Sequence, residues 1–208
     1  MAPPHSAVTA RRPLDLRREL ARKALHLGAA AFPVGYSLGV PRRELETILA
    51  TVVAVALVTE LVRRASPAAG AVFARVFGSL TRGHEDRAIT GATWLALSCL
   101  ALVVLLSREA AIAALWCATV GDPAATVAGK VWTSMRAPAT SGEGGKTFAG
   151  TFACAVASFV GVWLLAGYPP ARAAFVAAAA ALAEAMPISV DDNIRVAGAA
   201  GVVAQLLA

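Results

Sequence analysis

Seven apolar stretches alternate with short polar segments along the 208-residue chain. A helix needs roughly 20 mainly apolar residues to cross a bilayer, and most of these stretches come close to that length. They are rich in glycine and alanine, which is typical of membrane helices that pack closely on one another. The pattern predicts an all-α, polytopic transmembrane helix bundle of about seven spans, at 24–40, 46–62, 89–106, 110–129, 147–166, 172–187 and 193–208.

The composition agrees with a chain that lies in lipid. Hydrophobic residues make up 58% of the sequence and charged residues 15%, and the mean hydropathy is +0.65. A soluble domain is usually about 45–50% apolar and 25% charged. We therefore expect a basic N-terminal segment at 1–23 and a single transmembrane domain at 24–208. The segment 68–80 combines apolar residues with Arg75, and Arg82 follows it, which predicts an interfacial amphipathic helix.

The basic residues predict the orientation. If the N-terminus is cytoplasmic, four of the 19 Lys and Arg residues fall outside, at Arg42, Arg43, Arg108 and Arg172. Cytoplasmic loops carry an excess of these residues, so the bias predicts a cytoplasmic N-terminus. Alanine and arginine richness favours a bacterial inner membrane. The net charge of +6 is explained by this topology and by anionic headgroups, so no nucleic acid is expected as a partner.

Four polar clusters fall on the predicted cytoplasmic side. The first is Glu19, Arg22, Lys23 and His26, whose spacing places them on one face of a helix. An ordinary basic flank explains the arginine equally well, and His26 is also explained as a helix-packing residue.

The second cluster is the segment 121–130. Its Asp122 lies within an apolar span, where an unpaired carboxylate costs roughly 2.5–3.5 kcal/mol, and Pro123 interrupts the backbone hydrogen bonds after it. The alternative is a buried structural ion pair between Asp122 and an arginine. A ridge of small residues repeats every four positions and allows close approach of a helix or a ligand; it consists of Gly121, Ala125 and Gly129. A polar stripe with the same spacing lies beside it and consists of Asp122, Thr126 and Lys130.

The third cluster is the glycine-rich segment 139–151. Gly144, Gly145, Lys146 and Thr147 precede a helix, where backbone N–H groups and an ammonium group can bind phosphate. It is not a Walker A loop, because Thr140 stands where that pattern requires glycine. A flexible polar turn is the alternative.

The fourth cluster lies between the last two spans. Glu184 precedes Pro187, and Asp191, Asp192 and Asn193 follow. Carboxylate oxygens are ligands for Mg²⁺, and here they adjoin a predicted phosphate-binding segment. Helix capping from Ser189 to Asp192 is the alternative. Four such clusters on one side predict a magnesium and phosphate site at the cytoplasmic interface.

In this order the motifs resemble the CTP-dependent lipid kinases, which comprise dolichol kinase, phytol kinase and the yeast-type diacylglycerol kinase. They are distantly similar to phosphatidate cytidylyltransferases. The resemblance implies nucleotide, metal or catalytic positions at Asp122, Lys146, Asp192 and Asn193. Ala149 departs from the glutamate of many members. The motifs run from Glu19 to the C-terminus: E-x-x-R-K-x-x-H at 19–26, I-T-G-A-T at 89–93, V-G-D-P-A-A-x-x-A-G-K at 120–130, G-K-T-x-A-G-T at 145–151, and E-A-M-P with D-D-N at 184–193.

The expected activity is transfer of the γ-phosphoryl group of CTP, or of another nucleoside triphosphate, to a membrane lipid alcohol such as phytol, a polyprenol or diacylglycerol. Such chemistry depends on positioning and charge neutralisation. Asp192 or Asp122 would orient or deprotonate the alcohol. We expect Mg²⁺ on Asp122 with Asp191 or Asp192, and nucleotide binding by Arg22, His26, Lys130, Gly144, Gly145, Lys146, Thr147 and Asn193.

Two other functions are consistent with parts of the pattern. A cytidylyltransferase would attack the α-phosphorus and form a CDP-lipid, but the terminal signature of that family, H-G-G followed by D-R-x-D, is absent from the sequence. A transporter would place Asp122 and Glu184 along a pathway, but no inverted repeat is visible and the polar residues gather on one side.

Overall fold

The computed structural model describes residues 22–78, 89–135, 146–188 and 190–208. Within these ranges the chain consists of helices and connections with no strand, which confirms the all-α prediction. The helices are α1 at 22–28, α2 (Ala31–Ser37), α3 (Arg42–Ala65), α4 (Pro67–Phe77), α5 (Gly91–Leu105), α6 (Arg108–Trp116), α7 (Asp122–Met135), α8 (Phe148–Leu164), α9 (Pro170–Ala185) and α10 (Asp192–Leu207).

The first predicted span, 24–40, is wrong as a single helix. A turn at 29–30 divides it into α1 and α2. Each has about two turns and extends only about 10 Å, so neither crosses a bilayer alone. Helix α1 also includes Arg22 and Lys23, which the prediction assigned to the basic segment 1–23. The other predicted spans each correspond to one helix or, at 110–129, to α6 and α7 joined end to end.

A five-residue π-helix, Cys117–Gly121, joins α6 to α7. Its wider turn changes the register of side chains just before Asp122. Such π-bulges are rare and often occur at functional sites. The sequence pattern gave no indication of it, because one added residue per turn hardly alters the apolar periodicity.

Side-chain caps define where several helices begin. Ser66, Thr90, Ser107, Thr147 and Asp191 each accept a backbone hydrogen bond at the start of α4, α5, α6, α8 and α10, respectively. Each cap satisfies a donor that the helix leaves unpaired and contributes about 1 kcal/mol. Asp191 caps α10, and Ser189 of the predicted Ser189–Asp192 cap lies outside the described residues.

Within the described residues, two continuous helical stretches are long and apolar enough to cross a membrane. One is Arg42–Ala65, with 24 residues, and the other is Arg108–Thr133, with 26 residues. The first is largely exposed, whereas the second is mostly buried among the other helices. Helix α6 begins this central stretch, and every residue from Ala110 to Leu115 is buried.

Side-chain contacts define two ends of the helix assembly. At one end, Thr90 at the start of α5 donates its N–H to Glu60 near the end of α3. The Nδ2 of Asn193, in the first turn of α10, donates to the Gly91 carbonyl at 3.1 Å. We call this the ion-pair end. At the opposite end, Arg42 at the start of α3 contacts the Leu106 carbonyl after α5, and Arg172 at the start of α9 contacts Leu207 at the end of α10.

Candidate functional site

Asp122 forms a buried ion pair with Lys23. The Nζ of Lys23 lies 2.5 Å from Oδ2 of Asp122, and the two side chains are only 7% and 3% exposed. The alternative considered for Asp122, a buried ion pair, is therefore present, with lysine in place of the expected arginine. The pair fastens α1 to the start of α7, across 99 positions of sequence.

His26 belongs to the same buried group. Its Nε2 donates to the Ala118 carbonyl at 2.9 Å and lies 3.9 Å from Oδ2 of Asp122. Ala118 is within the π-helix, so the irregular turn presents a carbonyl to this ring. The predicted helical face of Lys23 and His26 is thus directed at the segment around Asp122.

Lys146 is the centre of a second group. Its Nζ donates to Oε1 of Glu184 at 2.9 Å and lies 3.4 Å from Oδ2 of Asp192. Thr151 donates its hydroxyl to the other carboxylate oxygen of Glu184 at 3.3 Å. Lys146 therefore joins the start of α8 to the end of α9 and the start of α10.

The charges around Lys146 keep it protonated. Partial burial alone would lower the pKa of Lys146, but the hydrogen bond to Glu184 and the charges of Asp192, Glu184 and Asp122 outweigh it and raise the pKa above 10.5. Because the charge of Asp122 acts on Lys146, the two groups belong to one electrostatic cluster. We call this set of six residues, Lys23, His26, Asp122, Lys146, Glu184 and Asp192, the charged cluster.

The start of α10 orders the acidic segment. Oδ1 of Asp191 accepts hydrogen bonds from the backbone N–H of Asn193 at 2.9 Å and from its Nδ2 at 2.8 Å. Arg195 forms an ion pair with Asp192 and donates to the Met186 carbonyl. Asp191 thus caps α10, whereas the Asp192 carboxylate contacts two cations, Lys146 and Arg195.

Among the described residues, no group of three His, Cys, Asp or Glu side chains is close enough to hold a metal ion. Two carboxylates do share one partner, because Glu184 and Asp192 both contact Nζ of Lys146. Protein sites for Mg²⁺ often supply only one or two carboxylates, with substrate phosphates and waters completing the shell. Glu184 and Asp192 are therefore the carboxylates that could hold such an ion. The predicted ligands Asp122 and Asp191 are engaged with Lys23 and with the helix cap.

The remaining predicted residues lie at the start of α8, on α1 and on α7. Thr147 caps α8 through its hydroxyl, which accepts from the Gly150 N–H at 3.1 Å. Arg22 begins the described part of α1, and Lys130 lies about two turns after Asp122 on α7; both are half-buried. Gly144 and Gly145 lie outside the described residues, so their predicted contact with phosphate stays a prediction.

The small-residue ridge of α7 packs against α8. A methyl group added at Gly121 would lie 2.4 Å from Oγ of Ser158, and one added at Gly129 would lie 2.8 Å from Oγ1 of Thr147. From the other side, a methyl group at Gly150 would lie 2.7 Å from the Ala125 carbonyl oxygen. The prediction of close approach by a helix is confirmed, and this contact sets the distance between Asp122 and the start of α8.

The sequence did not predict the pairing of two buried glutamates. Glu184 was noted for its acidity but not as the partner of Lys146. Glu60 was not noted, although it accepts hydrogen bonds from the Thr90 N–H, the Thr93 hydroxyl and Arg63. Glu60 lies within the predicted span 46–62. Charged residues within apolar spans are costly and usually paired, and this signal, which singled out Asp122, also applies to Glu60.

Comparisons with known proteins add no relative. The chain matches no protein-family model, no curated protein and no solved structure. The functional conclusion therefore depends on the residues and their arrangement.

Proposed function

We propose that the chain is a polytopic membrane protein of about seven spans whose ion-pair end faces the cytoplasm. Large apolar side chains are exposed on several helices, among them Leu61, Leu105 and Phe152. Contiguous exposed apolar surface is costly in water and is favourable in a bilayer. The bias of Lys and Arg supports the cytoplasmic orientation, and the richness in alanine and arginine favours a bacterial inner membrane.

Within that membrane we propose a lipid-alcohol kinase. The observation that carries the proposal is the charged cluster itself: lysines and carboxylates from α1, α7, α8, α9 and α10 are gathered at one end of an apolar helix assembly. Burying a charged side chain within a membrane protein costs free energy, so such residues usually have a functional role. A phosphoryl donor from water and an alcohol from lipid can meet only at such a boundary.

Lys146 is the proposed phosphate-binding residue. Its raised pKa keeps the ammonium group charged at any physiological pH, and its side chain is 32% exposed, so a phosphate oxygen can reach it. A positive charge held in place stabilises the negative charge of the transferring group. Lys130 and Arg22, with Asn193, His26, Thr147 and the N–H groups of Gly144 and Gly145, are proposed as further nucleotide contacts.

Asp192 is the better of the two candidate bases. Its side chain is 29% exposed, whereas that of Asp122 is 3% exposed and held by Lys23. In the proposed reaction the alcohol oxygen forms a bond to the γ-phosphorus, the bond from that phosphorus to the β-phosphate oxygen breaks, and the nucleoside diphosphate leaves. The alcohol proton passes to the Asp192 carboxylate.

Mg²⁺ bound with the nucleotide would neutralise phosphate charge and would be held by Glu184, which leaves Asp192 to accept the alcohol proton. Charge balance supports this proposal, because Lys23, Lys146 and Arg195 are already paired with carboxylates. A nucleoside triphosphate adds several negative charges, so a divalent cation that enters with it reduces the electrostatic cost.

Labelled CTP tests the proposal. Membranes that contain the protein are given Mg²⁺, a panel of lipid alcohols and CTP labelled at either the α- or the γ-phosphorus. We expect label from the γ position in the lipid fraction. Label from the α position alone would instead identify a CDP-lipid synthase, and no lipid label from either position with any alcohol would refute the kinase and leave a transporter as the alternative.

A further inference from the structure

Arg195 lies one turn after Asp192 on α10, and its guanidinium group is buried. The side chain is 8% exposed, whereas that of Asp192 is 29% exposed. Helix stability does not explain this buried cation, because a positive charge close to the N-terminus of a helix is disfavoured by the helix dipole. Among the described residues its Nε has no hydrogen-bond partner, although buried donors are nearly always satisfied. The contacts of its two terminal nitrogens therefore hold the group in place.

Those contacts join the start of α10 to the end of α9. The Nη1 atom of Arg195 donates to the carbonyl of Met186, the residue that ends α9. The Nη2 atom donates to Oδ1 of Asp192. A planar guanidinium group with donors in a fixed geometry orients its partners more strictly than an ammonium group does. Arg195 thus fixes the Asp192 carboxylate relative to the segment that carries Glu184.

The two oxygens of the Asp192 carboxylate have different partners. Oδ1 is held by the buried Arg195, whereas Oδ2 lies 3.4 Å from Nζ of Lys146. Lys146 is the proposed phosphate-binding residue and its side chain is 32% exposed, so its ammonium group can turn to a phosphate oxygen when the nucleotide binds. Oδ2 then loses its partner while Oδ1 keeps its own. The arrangement therefore directs Oδ2 at the alcohol.

We propose that Arg195 is a positioning residue for the transfer reaction, which holds Oδ1 of Asp192 so that Oδ2 receives the alcohol proton. This proposal rests on the proposed kinase function and assigns the oxygen that acts as the base. Oδ2 takes the proton as the alcohol oxygen bonds to the γ-phosphorus and the nucleoside diphosphate leaves. The transition state of phosphoryl transfer is loose in most analyses, and catalysis depends mainly on positioning. Orientation of the carboxylate is thus the contribution that Arg195 makes.

A double-mutant cycle on the turnover rate tests the proposal. Wild type, Arg195→Met, Asp192→Asn and the double variant are reconstituted in vesicles at equal folded amounts, with γ-labelled CTP, Mg²⁺ and, in turn, phytol, a polyprenol and dioleoylglycerol. Arg195→Met should lower kcat about 10–100-fold, because the base loses its orientation. The KM for CTP should stay within about twofold of the wild-type value, since the partners of Arg195 are Asp192 and Met186.

The Asp192→Asn background separates positioning from a general structural role. If Arg195 acts through the Asp192 carboxylate, removing Arg195 after that carboxylate has been neutralised should change kcat by less than about twofold, because residues that act as a unit are not additive. A residue that only stabilises the fold would lower the rate by the same factor in both backgrounds.

Two further variants complete the series. Arg195→Lys keeps the positive charge and takes the place of Arg195→Met in the cycle if the methionine variant does not fold. One ammonium group cannot hold the carboxylate and the Met186 carbonyl in the same fixed geometry, so its kcat should lie between those of wild type and Arg195→Met. Arg172→Met removes another contact between an arginine and a carbonyl at a helix end and should keep the wild-type kcat.

The possible failures of the two proposals are distinct. A wild-type kcat in Arg195→Met, or the same loss of rate in both backgrounds, would overturn the positioning role and leave the kinase intact. An increase in the KM for CTP at unchanged kcat would also overturn it, because Arg195 would then act in nucleotide binding. No γ-label in lipid from wild type with any of the three alcohols would refute the kinase and the positioning role together.

Discussion

The two ends of the helix assembly use the same charged residue types in different ways. At the ion-pair end, cations meet carboxylates in places sheltered from solvent, as in the Arg63–Glu60 pair. At the opposite end, arginines donate to backbone carbonyls where helices finish: Arg42 to Leu106, Arg108 to Tyr36 and Arg172 to Leu207.

The difference lies in what each arrangement costs. An arginine on a helix C-terminus satisfies free carbonyls, interacts favourably with the helix dipole and stays partly in water. For a buried ion pair, the free-energy cost of removing both charges from water is about as large as the gain from their attraction. The arginine contacts at the opposite end are therefore explained by their contribution to folding alone. The ion-pair end holds more buried charge than folding requires, which supports its assignment as the functional end.

The largest expected effect is that of Asp122→Asn. The change leaves the Lys23 ammonium group buried without a counter-charge, which costs about 3–5 kcal/mol of stability. Transfer activity should be lost as well. Thermal unfolding in detergent and the labelled-CTP assay measure the two effects.

The double variant Lys23→Met with Asp122→Asn separates them. It removes both charges, so the unfolding temperature should recover most of the loss, and transfer activity should return with it because Asp192 is the proposed base. Restored stability with activity still absent would show that Asp122 itself takes part in the chemistry.

Lys146→Met should affect activity far more than stability. Removing one fixed cation from a phosphoryl-transfer site lowers the rate by about 10²–10³-fold. The Lys146 side chain is 32% exposed but that of Glu184 is only 7% exposed, so leaving Glu184 without its cation should cost about 1–3 kcal/mol. Nucleotide-dependent rates and urea unfolding provide the comparison, and a large stability loss with a small rate change would contradict the proposed role.

The pH dependence of that stability difference has a fixed sign. Because the pKa of Lys146 is raised in the folded protein, its contribution is fully present below the ordinary value of 10.5 and is lost as the pH rises through the higher folded value. The difference in unfolding free energy between wild type and Lys146→Met should therefore stay constant through neutral pH. It should shrink only in strong alkali, and a decline near neutrality would contradict the assigned pairing.

Glu60→Gln tests whether a buried charge at the ion-pair end, but outside the charged cluster, affects stability without affecting activity. Glu60 accepts from Thr90, Thr93 and Arg63, and the Arg63 side chain is only 6% exposed. Replacing the Glu60 carboxylate should lower the free energy of unfolding by about 2–3 kcal/mol, because its hydrogen bonds join α3 to α5. Specific activity of the folded protein should be retained. Thr93→Val, which removes one of these bonds, is the milder control at about 1–2 kcal/mol.

Helix existence was predictable, because apolar length and cap residues are local properties of the sequence. Most helix bounds lie near the predicted ones, and the ridge of Gly121, Ala125 and Gly129 indicated close packing correctly. The turn at 29–30 was not predictable, since Gly28 and the following alanines are equally compatible with a continuous membrane helix.

The pairings were not predictable for a different reason. Periodicity tells which residues share a helical face, as for Lys23 and His26, but not which distant residue that face meets. Lys23 meets Asp122 across 99 positions, and Lys146 meets Glu184 across 38. Only the packing of the helices selects lysine over the many arginines as the partner of Asp122.

The smallest expected effect is that of Arg172→Met at the opposite end. Arg172 is exposed and donates to one carbonyl at 2.7 Å, so its loss should cost about 0.5 kcal/mol or less. The γ-label transferred to lipid alcohol by Arg172→Met should match that of wild type. A clear loss of activity here would extend the functional region beyond the ion-pair end.

The most direct test of the contrast between the ends is one paired measurement. Lys146→Met and Arg172→Met each remove a single cation, from the ion-pair end and from the opposite end. Both proteins are reconstituted in vesicles at equal folded amounts and supplied with γ-labelled CTP, Mg²⁺ and a lipid alcohol. The account predicts wild-type transfer by Arg172→Met and a decrease of about 10²–10³-fold in Lys146→Met. Equal transfer by the two variants would contradict it.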